Sequence, residues 1–198
     1  MIETTLRKLR KYKACDSKYY YLAAALGDEY GDNTLLPVSR ILDINGVSDA
    51  LWALRACDMS QEDESAVYLL ACDYAEHALH IFEDNHPDNP YPRAAIEARR
   101  AWVRREISDE ELKCAADAAA NTAFAPGFYA DAFAVAYIPV SFAAFAAAHS
   151  AFAVASNAAS AVARSAALAA ARSAYHTTFA ATIAAEEEWQ AQKLKEIL

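Results

Sequence analysis

Glycine and proline are scarce: the 198-residue chain holds four of the first and six of the second. An all-β protein needs many tight turns, and turns draw on those two residues, so the scarcity excludes that class. Lysine and arginine are missing from the whole stretch between Asp58 and Asp88, and the formal net charge is −9. A protein that binds nucleic acid directly needs a basic stripe to displace counterions from phosphates, so nucleic acid is not expected as a partner. There is no Cys-x-x-Cys pair. Cys15, Cys57, Cys72 and Cys114 lie far apart, beside small residues such as Ala14, Ala56, Ala71 and Ala115. Disulfide frameworks belong to short secreted chains, so these read as buried structural thiols in a reducing, cytoplasmic setting. The opening Met-Ile-Glu-Thr-Thr-Leu-Arg-Lys lacks the long apolar run of a secretory signal.

Charge is also absent from Ala132 to Ala163. That length would permit a membrane span. Its composition argues otherwise, because alanine supplies about half of it and Ser141, His149, Ser150, Ser156, Asn157 and Ser160 interrupt it. Leu, Ile, Phe and Val drive insertion, so the expectation is a helix buried among other helices and no membrane partner. No Gly-rich phosphate loop, nucleophile elbow or metalloprotease motif is present.

What the chain does have is hydrophobic residues, at 56%, and alanine, with 33 of the 71 residues from Ala115 to Ala185. Alanine is the strongest helix former, and the apolar content excludes disorder as a default. The fold expected is all-α, a bundle of about seven to nine helices with no sheet and a tightly packed Ala-rich C-terminal half. Residues 1–58 read as an N-terminal helical segment and 59–198 as the main helical domain, with one continuous core.

Local signals place the helices. A first one ends near Gly27, with 27–33 as a loop. Another starts around Pro37 and stops near Asn45-Gly46. Ser48 is positioned to cap a helix carrying Leu51, Trp52 and Leu54 to about Asp58. Ser60 opens a further helix, with Glu62, Asp63 and Glu64 on the first turn, where the helix dipole favours negative charge. Val67, Leu70, Tyr74, Ala78 and Ile81 form its apolar stripe. The Pro-rich loop 84–92 ends it, and Pro92 starts the next. Ser108 and Glu111 make a capping box. Beyond Pro126-Gly127, Ile138, Phe142, Phe145, His149 and Phe152 step by four, three, four and three, a coiled-coil-like seam. Trp102, Phe142, Phe145 and Phe152 are expected to be buried. His149 reads as a satisfied core histidine, and His86 and His176 as loop and surface residues.

The best catalytic or metal-ligating candidate is Asp73, Glu76, His77 and His80. Helical spacing puts Asp73, Glu76 and His80 on one face, with His77 one turn from Asp73. Glu-x-x-His pairs bind divalent metals in helical bundles. Such sites draw ligands from several helices, however, and no second matching set exists here. The plainer reading pairs these groups with arginines, with no catalytic residue, metal or other cofactor.

Leu70-Ala-Cys-Asp-Tyr-Ala-Glu-His-Ala-Leu79, then Phe82-Glu83, Pro87-Asp88, and the run from Pro92 to Ser108 carry a resemblance. They resemble an immunity protein family found beside bacterial polymorphic toxins and in phage and prophage genes. Asp73, Ala75, Glu76, Pro92, Arg93, Ile96, Glu97, Ala101 and Trp102 occupy the places of its pattern. The Ala-rich tail and the basic N-terminal Leu-Arg-Lys segment with Ala14-Cys15 are also similar, whereas 27–50 is less typical. The resemblance implies an all-α fold and a role in neutralising something, without naming the target. Its signature residues Asp73, Glu76, Pro92, Arg93, Glu97 and Trp102 have a structural explanation. An antiparallel helix pair would gather the charges into a buried network that fixes register.

The functional expectation is therefore a non-enzymatic protein that binds and neutralises a partner protein, either a toxin or, for a phage-borne inhibitor, a host defence component. Asp58, Glu62, Asp63, Glu64, Glu83, Asp84 and Asp88 would face a basic surface on that partner. The rival interface is the tyrosine cluster, Tyr19, Tyr20 and Tyr21, since aromatics are favoured anchors. The alternative function is a metal-binding or catalytic bundle using Asp73, Glu76, His77 and His80. Target identity and oligomeric state stay open at this point.

Overall fold

The chain starts with a β pair, although no sheet was expected. In a computed structural model that describes residues 1–28, 30–84, 86–123 and 181–198, β1 (Glu3–Thr4) lies antiparallel to β2 (Leu36–Pro37). Glu3 faces Pro37, and Thr4 faces Leu36. The ladder is only two residues long, and the Val38 N–H extends it by donating to the Ile2 carbonyl at 3.0 Å. Buried Thr4 then fastens it to the core, its hydroxyl donating to the Ala56 carbonyl at 2.7 Å.

Everything else regular among the described residues is helical. α-Helix accounts for 71% of the described residues, which makes the class all-α. Eight α-helices are described. The first four are α1 (Leu6–Lys11), α2 (Asp16–Leu26), α3 (Val38–Asn45) and α4 (Val47–Ala53). They are followed by α5 (Gln61–Glu83), α6 (Tyr91–Val103), α7 (Asp109–Ala123) and α8 (Ala181–Lys195). The seam Ile138–Phe152, the segment 132–163 and His176 lie outside the described residues. No helix among the described residues is long and apolar enough to cross a membrane.

The ends of these helices follow local chemistry. α2 stops at Gly27 and α3 at Gly46, both with positive φ, 69° and 86°, which glycine alone adopts without strain. Pro37 stands at the start of α3. Gly46, not Ser48, takes the N-cap position of α4, so Ser48 falls inside the helix. That helix ends early, at Ala53, and a single 3₁₀ turn over Leu54–Ala56 replaces its expected run to Asp58. Ser60 and Asp63 form a reciprocal box: the Asp63 N–H donates to Ser60 Oγ at 3.1 Å, and the Ser60 N–H donates to Asp63 Oδ2 at 3.0 Å. Ser108 and Glu111 repeat it at 2.8 and 3.3 Å. Lys13 and Arg105 instead take the left-handed position after α1 and α6, with φ of 61° and 62°.

One core cluster among the described residues joins the N-terminal helices to the C-terminal one. Leu6, Leu9, Leu22, Ile41, Leu51, Leu54, Val67, Leu70 and Tyr74 pack with Leu194 of α8. Val67, Leu70 and Tyr74 are the buried stripe of α5; the side chains of Ala78 and Ile81 lie outside the description. A smaller cluster holds α6 to α7 through Ala95, Leu112, Ala116 and Ala119. Three alanines in four positions let those two helix backbones come close.

Two cysteines depart from the expected burial. Cys72 is fully buried and Cys57 half-buried, while Cys15 and Cys114 are exposed. Alanine neighbours in sequence do not set burial, because positions one apart on a helix differ by about 100° of rotation.

Candidate functional site

α5 and α6 run antiparallel across the Pro-rich loop, and their facing surfaces are lined with charge. Arg100 Nη2 lies 2.7 Å from Glu76 Oε2 and 3.1 Å from Asp73 Oδ1, while its Nη1 lies 3.3 Å from Glu97. Arg93 grips Glu83 with two parallel bonds of 2.5 and 2.7 Å, and reaches Glu76 at 3.3 Å. Residue numbers fall along α5 as they rise along α6, which is the antiparallel register. The hydrogen bond from Arg100, then the charges of Arg100 and Arg93, holds the Glu76 carboxyl below the usual glutamate range. Hydrogen bonding to Glu76 raises the Arg100 guanidinium above its ordinary value. The expected network therefore exists, but it is half-exposed and not buried, and Arg100 stands at its centre. The i+7 spacing from Arg93 and i+3 from Glu97 put Arg100 on their face, a signal that could have marked it.

The four candidate ligands do not converge. Asp73 and Glu76 face Arg100. His77 faces α8 instead, with Nε2 3.0 Å from Glu186 Oε2 and its ring stacked on Trp189 at 3.8 Å between centroids. His80 Nδ1 sits 3.0 Å from the His77 carbonyl. Among the described residues, no three His, Cys, Asp or Glu side chains are arranged to hold a metal ion. Glu186 is buried and accepts from Gln190 Nε2 at 2.8 Å. Nothing in the local sequence around α5 announces Glu186 or Trp189, more than a hundred residues away.

Next to this network, Arg99 is fully buried, its guanidinium 4.5 Å from the Tyr68 ring centre and 4.8 Å from that of Trp102. Burial pulls it down to about 10. Trp102 is half-buried, short of the full burial expected. It covers Arg99 with one face, and its Nε1 reaches the α7 start to donate to Asp109 at 2.7 Å. Pro92 is buried in the first turn of α6.

No family model, no curated protein and no solved structure matches the chain.

The acidic residues divide into engaged and free. Asp58 pairs with Lys8, Asp63 is held by the Ser60 cap, and Glu83 is clamped by Arg93. Glu62, Glu64, Asp84 and Asp88 make no ion pair among the described residues, and all but half-buried Glu64 are exposed. These free groups are not brought together. α5 has 23 residues, so its two ends lie roughly 33 Å apart at 1.5 Å per residue. The tyrosine cluster divides too. Tyr20 and Tyr21 are 67% and 61% exposed, whereas Tyr19 is buried and cannot belong to an exposed contact surface. Its hydroxyl accepts from Arg10 Nη2 at 2.8 Å, and the guanidinium covers its ring. Tyr91, the first residue of α6, is also exposed; in the sequence it falls within the Pro-rich stretch 84–92, which has no periodicity to read.

Proposed function

We propose that this chain is a cytoplasmic, non-enzymatic binding protein that neutralises a partner protein, either a toxin or a host defence component, by presenting acidic surface to a basic one. One observation carries the reading. Along α5 the central carboxylates Asp73 and Glu76 are neutralised by Arg100 and Arg93, while Glu62, Glu64, Asp84 and Asp88 at the two ends have no ion-pair partner among the described residues. Unpaired surface charge of one sign steers a partner of the other sign.

The test begins with affinity capture from the native host or its infecting phage. Association of the captured partner is then followed as salt rises. It should slow, because the Debye length shrinks from about 10 Å at 0.1 M to about 3 Å at 1 M. Charge reversal at Glu62 and Glu64, or at Asp84 and Asp88, should lower the association rate more than it raises dissociation. Salt-independent association, with a large loss on Tyr20→Ala and Tyr21→Ala, would move the interface to the tyrosines.

A further inference from the structure

From Tyr19 to its end at Leu26, α2 carries no charged residue on any side. A helix that is apolar all round belongs in an interior. The fold buries one side of it, through Tyr19, Leu22 and Leu26. Tyr20, Tyr21, Ala24 and Ala25 stand exposed on the other and form one continuous stripe. Exposed apolar residues gathered in this way mark an interaction surface. Tyr20 is already oriented for contact. Its ring meets that of buried Tyr19 edge to face, with centroids 5.7 Å apart. A side chain held in advance loses little freedom on binding.

Size and charge both say what covers this face. The bulky side chains stand toward its N-terminal end and the alanines toward its C-terminal end. A second α2 laid antiparallel sets the tyrosines of each copy on the alanines of the other, where small side chains let the backbones approach. Lys13, in the turn before α2, lines a shallow hollow together with Tyr20. Exposed Lys18 lies within α2, and exposed Asp28 follows its C-terminus. Lys13 and Asp28 make no ion pair among the described residues, and Lys18 meets only Asp49, at 3.9 Å. The antiparallel arrangement carries Asp28 of each copy toward Lys13 and Lys18 of the other. Asp16 opposes the lysines at that end, but it is two positions from Lys18 and so about 200° round the helix from it. A parallel pair would set tyrosine on tyrosine and like charge on like.

We propose that this face binds a second copy of the chain, forming a symmetric dimer through antiparallel α2 helices. A two-fold interface must complement itself, and a face that is bulky and basic at one end and small and acidic at the other does so. None of its residues belongs to the acidic ends of α5, so it stands or falls separately from the partner-binding reading.

Sedimentation velocity of the purified intact chain, from about 1 μM to about 1 mM, tests the proposal without any other protein present. The mass should rise from one chain to two within that range, since a single helix face makes a small interface. Ala24→Glu, which sets a carboxylate against the tyrosines, should weaken the dimer at least tenfold, and Tyr20→Ser/Tyr21→Ser likewise. These positions are exposed, and circular dichroism with a thermal melt checks that each variant folds. If Ala24→Glu does not fold, the double tyrosine variant decides in its place. Asp28→Lys and Lys13→Glu/Lys18→Glu should each associate several-fold more weakly than the parent. An equal mixture of those two should regain the parent's association, because each then meets opposite charge at both ends. A single-chain mass at every concentration, an undiminished dimer in a folded face variant, or no gain in the mixture would each overturn the proposal.

Discussion

The Tyr74 hydroxyl donates to the Gln190 carbonyl at 2.8 Å, joining two residues 116 positions apart in the chain. Tyr74 is fully buried, and burial pushes its hydroxyl well above the ordinary tyrosine value, so it remains a donor. With the stack of His77 on Trp189, this bond ties α8 to the middle of α5. Tyr74→Phe should therefore cost about 1 kcal/mol, the net worth of one buried hydrogen bond. Tyr74→Ala should cost about 3–5 kcal/mol through the cavity it leaves. Urea denaturation of both variants checks the difference; equal losses would mean that the hydroxyl contributes nothing.

The two network arginines should differ in weight. Arg100 is 21% exposed and meets three carboxylates, whereas Arg93 is 48% exposed. Arg100→Ala leaves Asp73 and Glu76 without their main partner and is expected to cost roughly 1.5–3 kcal/mol. Arg93→Ala, nearer solvent, should cost about 1 kcal/mol or less. A double-mutant cycle over Arg100 and Glu76 isolates the pair from its neighbours.

Glu76 also sets a pH dependence. Its folded value is depressed below the ordinary 4.5. A depressed carboxyl contributes stability that is complete above the ordinary value and is lost as pH falls below it. Glu76→Gln should thus be less stable than the parent at neutral pH, and the gap should close in acid. The side chain is 39% exposed, so the effect is screened and modest. Denaturation midpoints of the two proteins compared across the acid range read it directly; a gap that widens in acid would reverse the assignment.

Two helix caps give a simpler comparison. Ser60→Ala and Ser108→Ala each remove the side-chain acceptor of a reciprocal box. Each should cost about 1 kcal/mol, with threonine restoring most of it. Thermal melts of the alanine and threonine variants check this.

Much of this protein was settled by sequence alone, and the reason is local. Ser60 with Asp63, Ser108 with Glu111, Gly27 and Gly46 act through bonds or dihedrals within a few residues, so helix boundaries could be read from them. The stripe Val67, Leu70, Tyr74 needed only helical periodicity, and the pairing of Asp73 and Glu76 with arginine needed only charge spacing and a Pro-rich turn. Tertiary structure decided the rest, because it depends on partners that no local rule selects. It paired β1 with β2 across more than thirty residues, and turned His77 away from Glu76 toward Glu186 and Trp189 of α8. It split the acidic run between the two ends of one helix, because a charge run in sequence becomes a length in space at 1.5 Å per residue. It buried Tyr19 and exposed Tyr20 beside it, since neighbours on a helix point about 100° apart and only packing chooses which faces the core.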